Sequence, residues 1–302
     1  MPIAPLTDRV VLAVTGEEAA SFLSGLLTCA VDDAQGARFG ALLAPQGKII
    51  ADLFLVRRQE GTEKEGTGKA GTGKDGQGGF LLDTPGAVAE ALLKRLTLYK
   101  LRAKVALADL SAELHAFAAW DTAVAAPPGA TSFPDPRLAA MGQRLIAPQA
   151  ALALLLDASP ADYEAHRIGL AMPQGGRDFA YGDAFPHEAA MDQLGGVDFQ
   201  KGCYVGQEVV SRTQHRGSAR TRIAALRFEA NAPPEGAEIR AGDKAIGRVG
   251  SVDAAQRRAI GLLRLDRLAE AFAASEPLLA GEVAIHAEKP VWARYPFPQP
   301  AV

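Results

Sequence analysis

The sequence predicts an α+β fold that ends in a small C-terminal β-barrel. Three observations carry the prediction. Over residues 1–108, strand-length apolar runs and helical-period segments follow in the order strand, helix, strand, strand, strand, helix, strand. Residues 109–220 mix strand, loop and one or two helices. From Ile223 onward the pattern turns to short strands broken by Gly and Pro, the mark of a small closed β-domain. Three modules are therefore expected, at 1–108, 109–220 and 221–302, and 302 residues are enough to bury a sizeable core.

Taken in order, RVVLAV (9–14) reads as a strand. Thr15 and Glu18 then fit a capping box, and Ala19, Phe22, Leu23, Leu26 and Leu27 continue at helical spacing. FGALLAP and KIIADLFLVRR form a strand pair turning at Pro45-Gln46-Gly47. GFLLD is a strand, Pro85 opens a helix running to about Tyr99, and RAKVALADL closes the module. LHAFAAWDTAV predicts a strand, APPGATSFPDPRL a loop, and QAALALLLDASPADYEAHRIGLAMP one or two helices ending near Gly169. In the last module RIAALRFEA, AEIRAGDKAIGRVGSV, RRAIGLLRL and VAIHAEKPVWARY are the strand segments.

The insert at 61–79 contains Gly68-KAGT-Gly73-Lys74, a partial P-loop match. A P-loop needs a helix N-terminus after it and Ser or Thr on Mg²⁺, whereas here Asp75 and then a strand follow. The segment reads as a low-complexity flexible tip.

A net charge of −3 gives no global attraction to nucleic acid or membrane, so any such partner must be met by a local patch. No window approaches the length of a membrane span, and the first residues show neither a signal nor a transit peptide. Cys29 and Cys203 are the two cysteines. That usage fits a reducing compartment and cannot complete an all-cysteine metal site in one chain. A cytoplasmic protein without a resident metal is expected.

The chemistry concentrates in VDFQKGCYVGQEVVSRTQHRG (197–217). A helix from about Tyr204 to Arg216 is expected, with Val205, Val209 and Val210 as its apolar side, Glu208 and Arg212 four apart, and Gly217 as its stop. Cys203 would lie at its N-terminal edge, two residues from Lys201, and both neighbours favour the thiolate. Two roles are open to it: a small packed residue in a tight Gly-x-x-x-Gly turn, or a functional thiol, which the lysine and helix end favour. Cys29, which follows an apolar helix face of Phe22, Leu23 and Leu26, reads as core. Lys201, Arg212, Arg216, Arg220 and Arg222 against Glu208 alone form a basic run. Arg212 and Arg216 make an anion patch there, and without interleaved aromatics direct RNA binding is not expected. Upstream, Glu188 stands in a loop after Phe185-Pro186, where a carboxylate could hold the N–H edge of a heterocycle. His187 lacks a second ligand at metal spacing.

KGCYVGQE (201–208) resembles the signature of the YgfZ-type folate-binding proteins and iron–sulfur assembly factors, relatives of the glycine-cleavage T-protein. GLLTCAV, APQGKIIADLFL, PDPRLAAMGQR, YEAHRIGLAMP and AIGRVGSV follow in the family's order. The resemblance implies two intertwined α+β modules around a central hole plus the barrel, a pocket for tetrahydrofolate or a derivative, and support of iron–sulfur enzymes, including radical enzymes that modify tRNA. It matches Cys203 to the signature thiol, a transient cluster ligand in concert with a partner protein. Lys201, Gly202, Tyr204, Gly206, Gln207 and Glu208 match the rest of the motif. Glu188 is matched to the pterin-facing carboxylate and Tyr163 to a folate-contacting aromatic, with Arg167 one turn on. The T-protein's T-G-E-x-G block is absent and its catalytic aspartate has no counterpart here. Both departures argue for a non-catalytic factor over the alternative, a tetrahydrofolate-dependent one-carbon transferase.

Overall fold

The computed structural model describes residues 2–31, 36–58, 79–153, 155–217 and 219–300. Of the insert at 61–79, only Gly79 is among them, so the P-loop-like segment lies outside the described residues. The chain divides into two compact units, one of residues 1–45, 50–160 and 195–205, the other of 46–49, 161–194 and 206–302.

The first unit holds β1 (Ile3–Pro5), β2 (Arg9–Thr15), α1 (Ala19–Ser24), β3 (Arg38–Leu43), β4 (Ile49–Arg57), β5 (Gly79–Pro85), α2 (Gly86–Lys100), β6 (Ala106–Asp109), β7 (His115–Ala119), β8 (Thr131–Pro134), β9 (Gln143–Ala147) and α3 (Gln149–Leu152). One sheet runs β3-β4-β5-β2-β6 and a second β1-β7-β9-β8. In β2 the run Val11–Val14 is buried throughout, as expected of a central strand covered on both faces. Val88, Ala89, Leu92 and Leu96 line the buried stripe of α2, which packs on β2 and β5.

Two expectations are corrected here. Thr15 does not cap α1: it is held in the sheet opposite Gly79 and Ala106, the cap position falls to Glu18, and the Glu18 carboxylate accepts the backbone N–H of Lys104. APPGATSFPDPRL is not all loop, since β8 lies within it. The edge strands β1 and β8 each end in a proline, Pro5 and Pro134, which a sheet tolerates only at its edge.

Beneath these sheets lies a buried ionic cluster. Asp83 on β5 accepts from Arg144 on β9 at 2.9 Å (Nε) and 2.6 Å (Nη2), and Arg9 on β2 donates to its other oxygen. Arg137 forks onto Asp135 at 3.0 and 2.7 Å. The guanidinium carbons of Arg144, Arg137 and Arg9 stand 4.1, 4.8 and 5.2 Å from the centre of the buried Phe54 ring.

The second unit holds α4 (Pro160–Gly169), α5 (Gln207–Arg216), β10 (Thr221–Arg227), β11 (Glu238–Ala241), β12 (Lys244–Asp253), β13 (Arg258–Arg264), α6 (Leu265–Ala273), β14 (Leu278–Ala280) and β15 (Val283–Glu288). The strands close as a barrel in the order β10-β13-β12-β11-β14-β15, with β15 returning to β10. Leu226, Ile239, Val249, Leu263 and Ile285 fill it, and α6, which the strand pattern did not suggest, adds Leu268 and Ala271 to that core. The tail is tied back by the Trp292 indole donating to the Leu170 carbonyl and the Tyr295 hydroxyl donating to that of Ile223.

Candidate functional site

The motif spans both units, and each half is built differently. In the first, the loop 195–205 is laid against the end of α1. The Thr28 hydroxyl donates to the Gly196 carbonyl at 2.6 Å and accepts the Ala41 N–H at 2.8 Å, while the Asp198 N–H reaches the Thr28 carbonyl. The Asp198 carboxylate accepts the N–H groups of Gln200 and Lys201 at 2.8 and 3.2 Å, an Asx-type turn. Lys201 then turns its ammonium onto the carbonyls of Ser24, Leu27 and Cys29 at 2.8, 2.7 and 2.9 Å. The three donors of an ammonium are thereby matched by three acceptors left open past a helix end. Burial lowers the Lys201 pKa, opposed by Cys29 and Asp198. Tyr204 is buried, its ring 5.3 Å from the Lys201 ammonium, and burial pushes its hydroxyl up to about 12.

Gly202 and Cys203, between these two anchors, are exposed. The thiol thus sits on a crest clamped on both sides. This revises the picture drawn from sequence, in which Lys201 and a helix end act on the thiol. The lysine is committed to carbonyls, and the helix begins at Gln207, not Tyr204, with Gly206 in left-handed backbone (φ 82°) as its N-cap. Cys29 is core: it is 1% exposed and burial pushes its pKa up to about 11. A methyl group on Gly40 would come within 2.5 Å of its sulfur.

In the second unit, α5 ends at Gly217 in left-handed backbone (φ 58°), the stop its sequence suggests. Val210 is buried, whereas Glu208, Arg212 and Arg216 are exposed, and among the described residues Glu208 and Arg212 form no ion pair. Arg222, part of the same basic run, is not a surface cation. It donates to the His187 carbonyl at 2.8 Å and to Asp192 at 2.7 Å, and lies over the Tyr295 ring. His187 is buried, its Nε2 3.0 Å from the Gln214 amide oxygen, and burial lowers its pKa. Among the described residues no three His, Cys, Asp or Glu side chains are grouped to hold a metal ion.

Glu188 is half-buried in a turn that it helps to close. One carboxylate oxygen accepts the Phe185 N–H at 2.9 Å, while the Glu188 N–H returns to the Phe185 carbonyl. The Phe185 ring carries the Lys48 ammonium at 4.2 Å. Tyr163 is buried on α4. Arg167, on the same helix, is 1% exposed and its five N–H groups are all engaged. Nε and Nη2 fork onto Glu164 at 2.7 Å each, Nη1 reaches Asp178 at 2.8 Å and the Met172 carbonyl at 3.0 Å, and Nη2 reaches the Ser251 hydroxyl at 2.6 Å. No donor remains for a ligand, so Arg167 joins α4 to β12 within this unit. Asp178 and Ser251 have no sequence signal that pairs them with Arg167.

Comparison with known proteins extends the geometry. A model of the CAF17 C-terminal β-barrel domain matches residues 220–295. The human mitochondrial iron–sulfur cluster assembly factor IBA57 is 34% identical over 253 residues, covering 76% of this chain and 67% of the human one. The IBA57 homolog of Mycosarcoma maydis, also mitochondrial, is 32% identical over 258 residues, 78% of this chain and 60% of the fungal one. The chain therefore spans less than two thirds of that fungal relative's length. The crystal structure of glycine cleavage system aminomethyltransferase T from Bartonella henselae superposes with a TM-score of 0.72 over 97% of this chain and 86% of that one, at 15% identity, a likeness of fold. The cytoplasmic placement is overturned by the mitochondrial relatives. Two reduced cysteines could not have separated the compartments, because both keep thiols reduced. The chain belongs to the IBA57 family of iron–sulfur cluster assembly factors.

Proposed function

We propose that this protein supports assembly or repair of iron–sulfur clusters in client enzymes, radical enzymes that modify tRNA among them, with Cys203 as its working thiolate. The observation that carries the reading is the contrast between the two cysteines: Cys203 is exposed on a clamped crest, Cys29 is buried in the core. One thiol cannot hold a cluster, so the cluster is cargo and the remaining ligands come from a partner protein. The clamp at Lys201 and Tyr204 keeps the thiol presented and lowers the ordering cost of docking. Arg212 and Arg216, exposed on α5, supply a basic surface for an anionic partner.

The resemblance carried by the sequence motifs implies a reduced folate, and the second unit offers part of a site for it. Glu188 has a carboxylate oxygen beyond the one bound to Phe185, able to accept a pterin N–H, and the resemblance offers Tyr163, buried on α4, as the folate-contacting aromatic. Arg167 does not fit as a direct contact and acts by holding α4. Reduced folate bound there would supply a flat ring that carries one-carbon units.

Two measurements test the reading. In cells lacking the equivalent protein, the wild type should restore a thiomethylated tRNA base and Cys203→Ser should not; equal rescue by both would show that the thiol is not required. Calorimetric titration with tetrahydrofolate should show binding that Glu188→Gln weakens roughly tenfold, the loss of one charge-assisted hydrogen bond. Absence of binding to the wild type would remove the folate from the proposal and leave the thiol untouched.

A further inference from the structure

The end of α2 and the residues after it read LKRLTLYKLRAK (93–104). Leu96 is fully buried and holds the helix to its sheet, but Leu98 is 64% and Leu101 is 87% exposed. Leu101 also ends the helix at φ 45°, a positive φ that a leucine rarely adopts. A glycine would fit that backbone with less strain, and the exposed leucine side chain there covers none of the core. Lys94, Arg95, Lys100 and Arg102 surround the pair, and among the described residues none of the four makes an ion pair. Residues 91–108 contain no Asp or Glu, in a chain whose net charge is −3. Lys94 and Leu98 stand four apart on α2, and Leu101 and Arg102 follow directly past its end.

We propose that this helix end docks on an anionic lipid surface, the leucines entering the interface and the cations facing headgroups. This is the local patch that the overall charge does not reveal. It involves no span, and no helix among the described residues is long and apolar enough to cross a membrane. The lysines and leucines of the patch favour lipid over protein as the occupant. Protein interfaces are depleted in lysine, and leucine is under-represented at their hot spots. Exposed leucines with lysine and arginine beside them can enter the headgroup boundary while the cations meet anionic lipid. Tyr99, half-buried between the leucines, carries the amphipathic ring enriched at headgroup level. Two leucines and four charges give a weak, reversible contact that salt screens.

Co-sedimentation of the full chain with phosphatidylcholine vesicles, with and without phosphatidylserine, tests this. Pelleting is expected only with phosphatidylserine, and raising the salt should abolish it. Leu98→Ser with Leu101→Ser, and separately Lys100→Gln with Arg102→Gln, should each weaken it by about tenfold or more. Leu98, Leu101 and Arg102 are exposed and Lys100 is half-buried, and circular dichroism should show both variants folded. No pelleting with phosphatidylserine at low salt, or pelleting of both variants like wild type, overturns the proposal. Retention on immobilised polyglutamate without vesicle binding also overturns it, and marks the patch as a dock for an acidic protein.

Discussion

Replacing Asp83 with Ala is expected to lower the free energy of unfolding by about 3–5 kcal/mol, read as a shift of the urea midpoint. The carboxylate has no exposed surface and is shared by Arg144 and Arg9, so its removal takes the common counter-charge from two buried guanidiniums. The three residues come from β9, β5 and β2, which belong to the two sheets of the first unit, so the cluster also fixes sheet to sheet. Burial acts to raise the Asp83 pKa, but Arg144 and Arg9 outweigh it and hold the group below the usual carboxylate range. Asp135 is depressed in the same way, burial opposed by the stronger effect of Arg137. A folded-state pKa below the unfolded one gives stability that is present above the unfolded value, about 3.9, and lost as pH falls through the folded values. Acid should therefore destabilise the wild type below about pH 4 and Asp83→Asn less steeply. A loss under about 1 kcal/mol for Asp83→Ala would show that the cluster does not hold the sheets.

The features legible in sequence were those set by near neighbours. The stop at Gly217 follows from a helix running into a residue free to turn left-handed, and the barrel strands from apolar runs cut by turns. The core position of Cys29 follows from the apolar helix face just before it. What was not legible depends on partners far along the chain. Of the sheet β1-β7-β9-β8, only β7 has a run long enough to stand out; β1 and β8 are short and end in proline. Lys201 lies two residues from Cys203, yet its acceptors are more than 170 positions away, at Ser24, Leu27 and Cys29. Adjacency suggested that it tunes the thiol, and the fold uses it to place the loop instead. Arg167 shows the same limit, because a resemblance can propose a ligand contact but cannot count the hydrogen bonds already made.

That count makes Arg167→Met the second large effect, an expected loss of about 3 kcal/mol or more. Methionine keeps much of the volume but leaves Asp178, whose side chain has no exposed surface, without its cation. Asp178 retains the N–H groups of Ser251 and Gln174 at 2.7 and 2.8 Å, so it stays partly satisfied, and this separates the ionic loss from that of the hydrogen-bonded frame. Glu164 would keep Arg177, which also reaches Glu235. The Asp178→Asn variant should be milder than Arg167→Met, and the double variant should cost less than the two losses added, by at least about 1 kcal/mol of coupling. If the pair acts only by holding α4, tetrahydrofolate affinity measured below the unfolding transition should fall far less for Arg167→Met than for Glu188→Gln. An equal fall in both, in proteins shown by circular dichroism to be folded, would return Arg167 to the folate itself and contradict its closed set of partners.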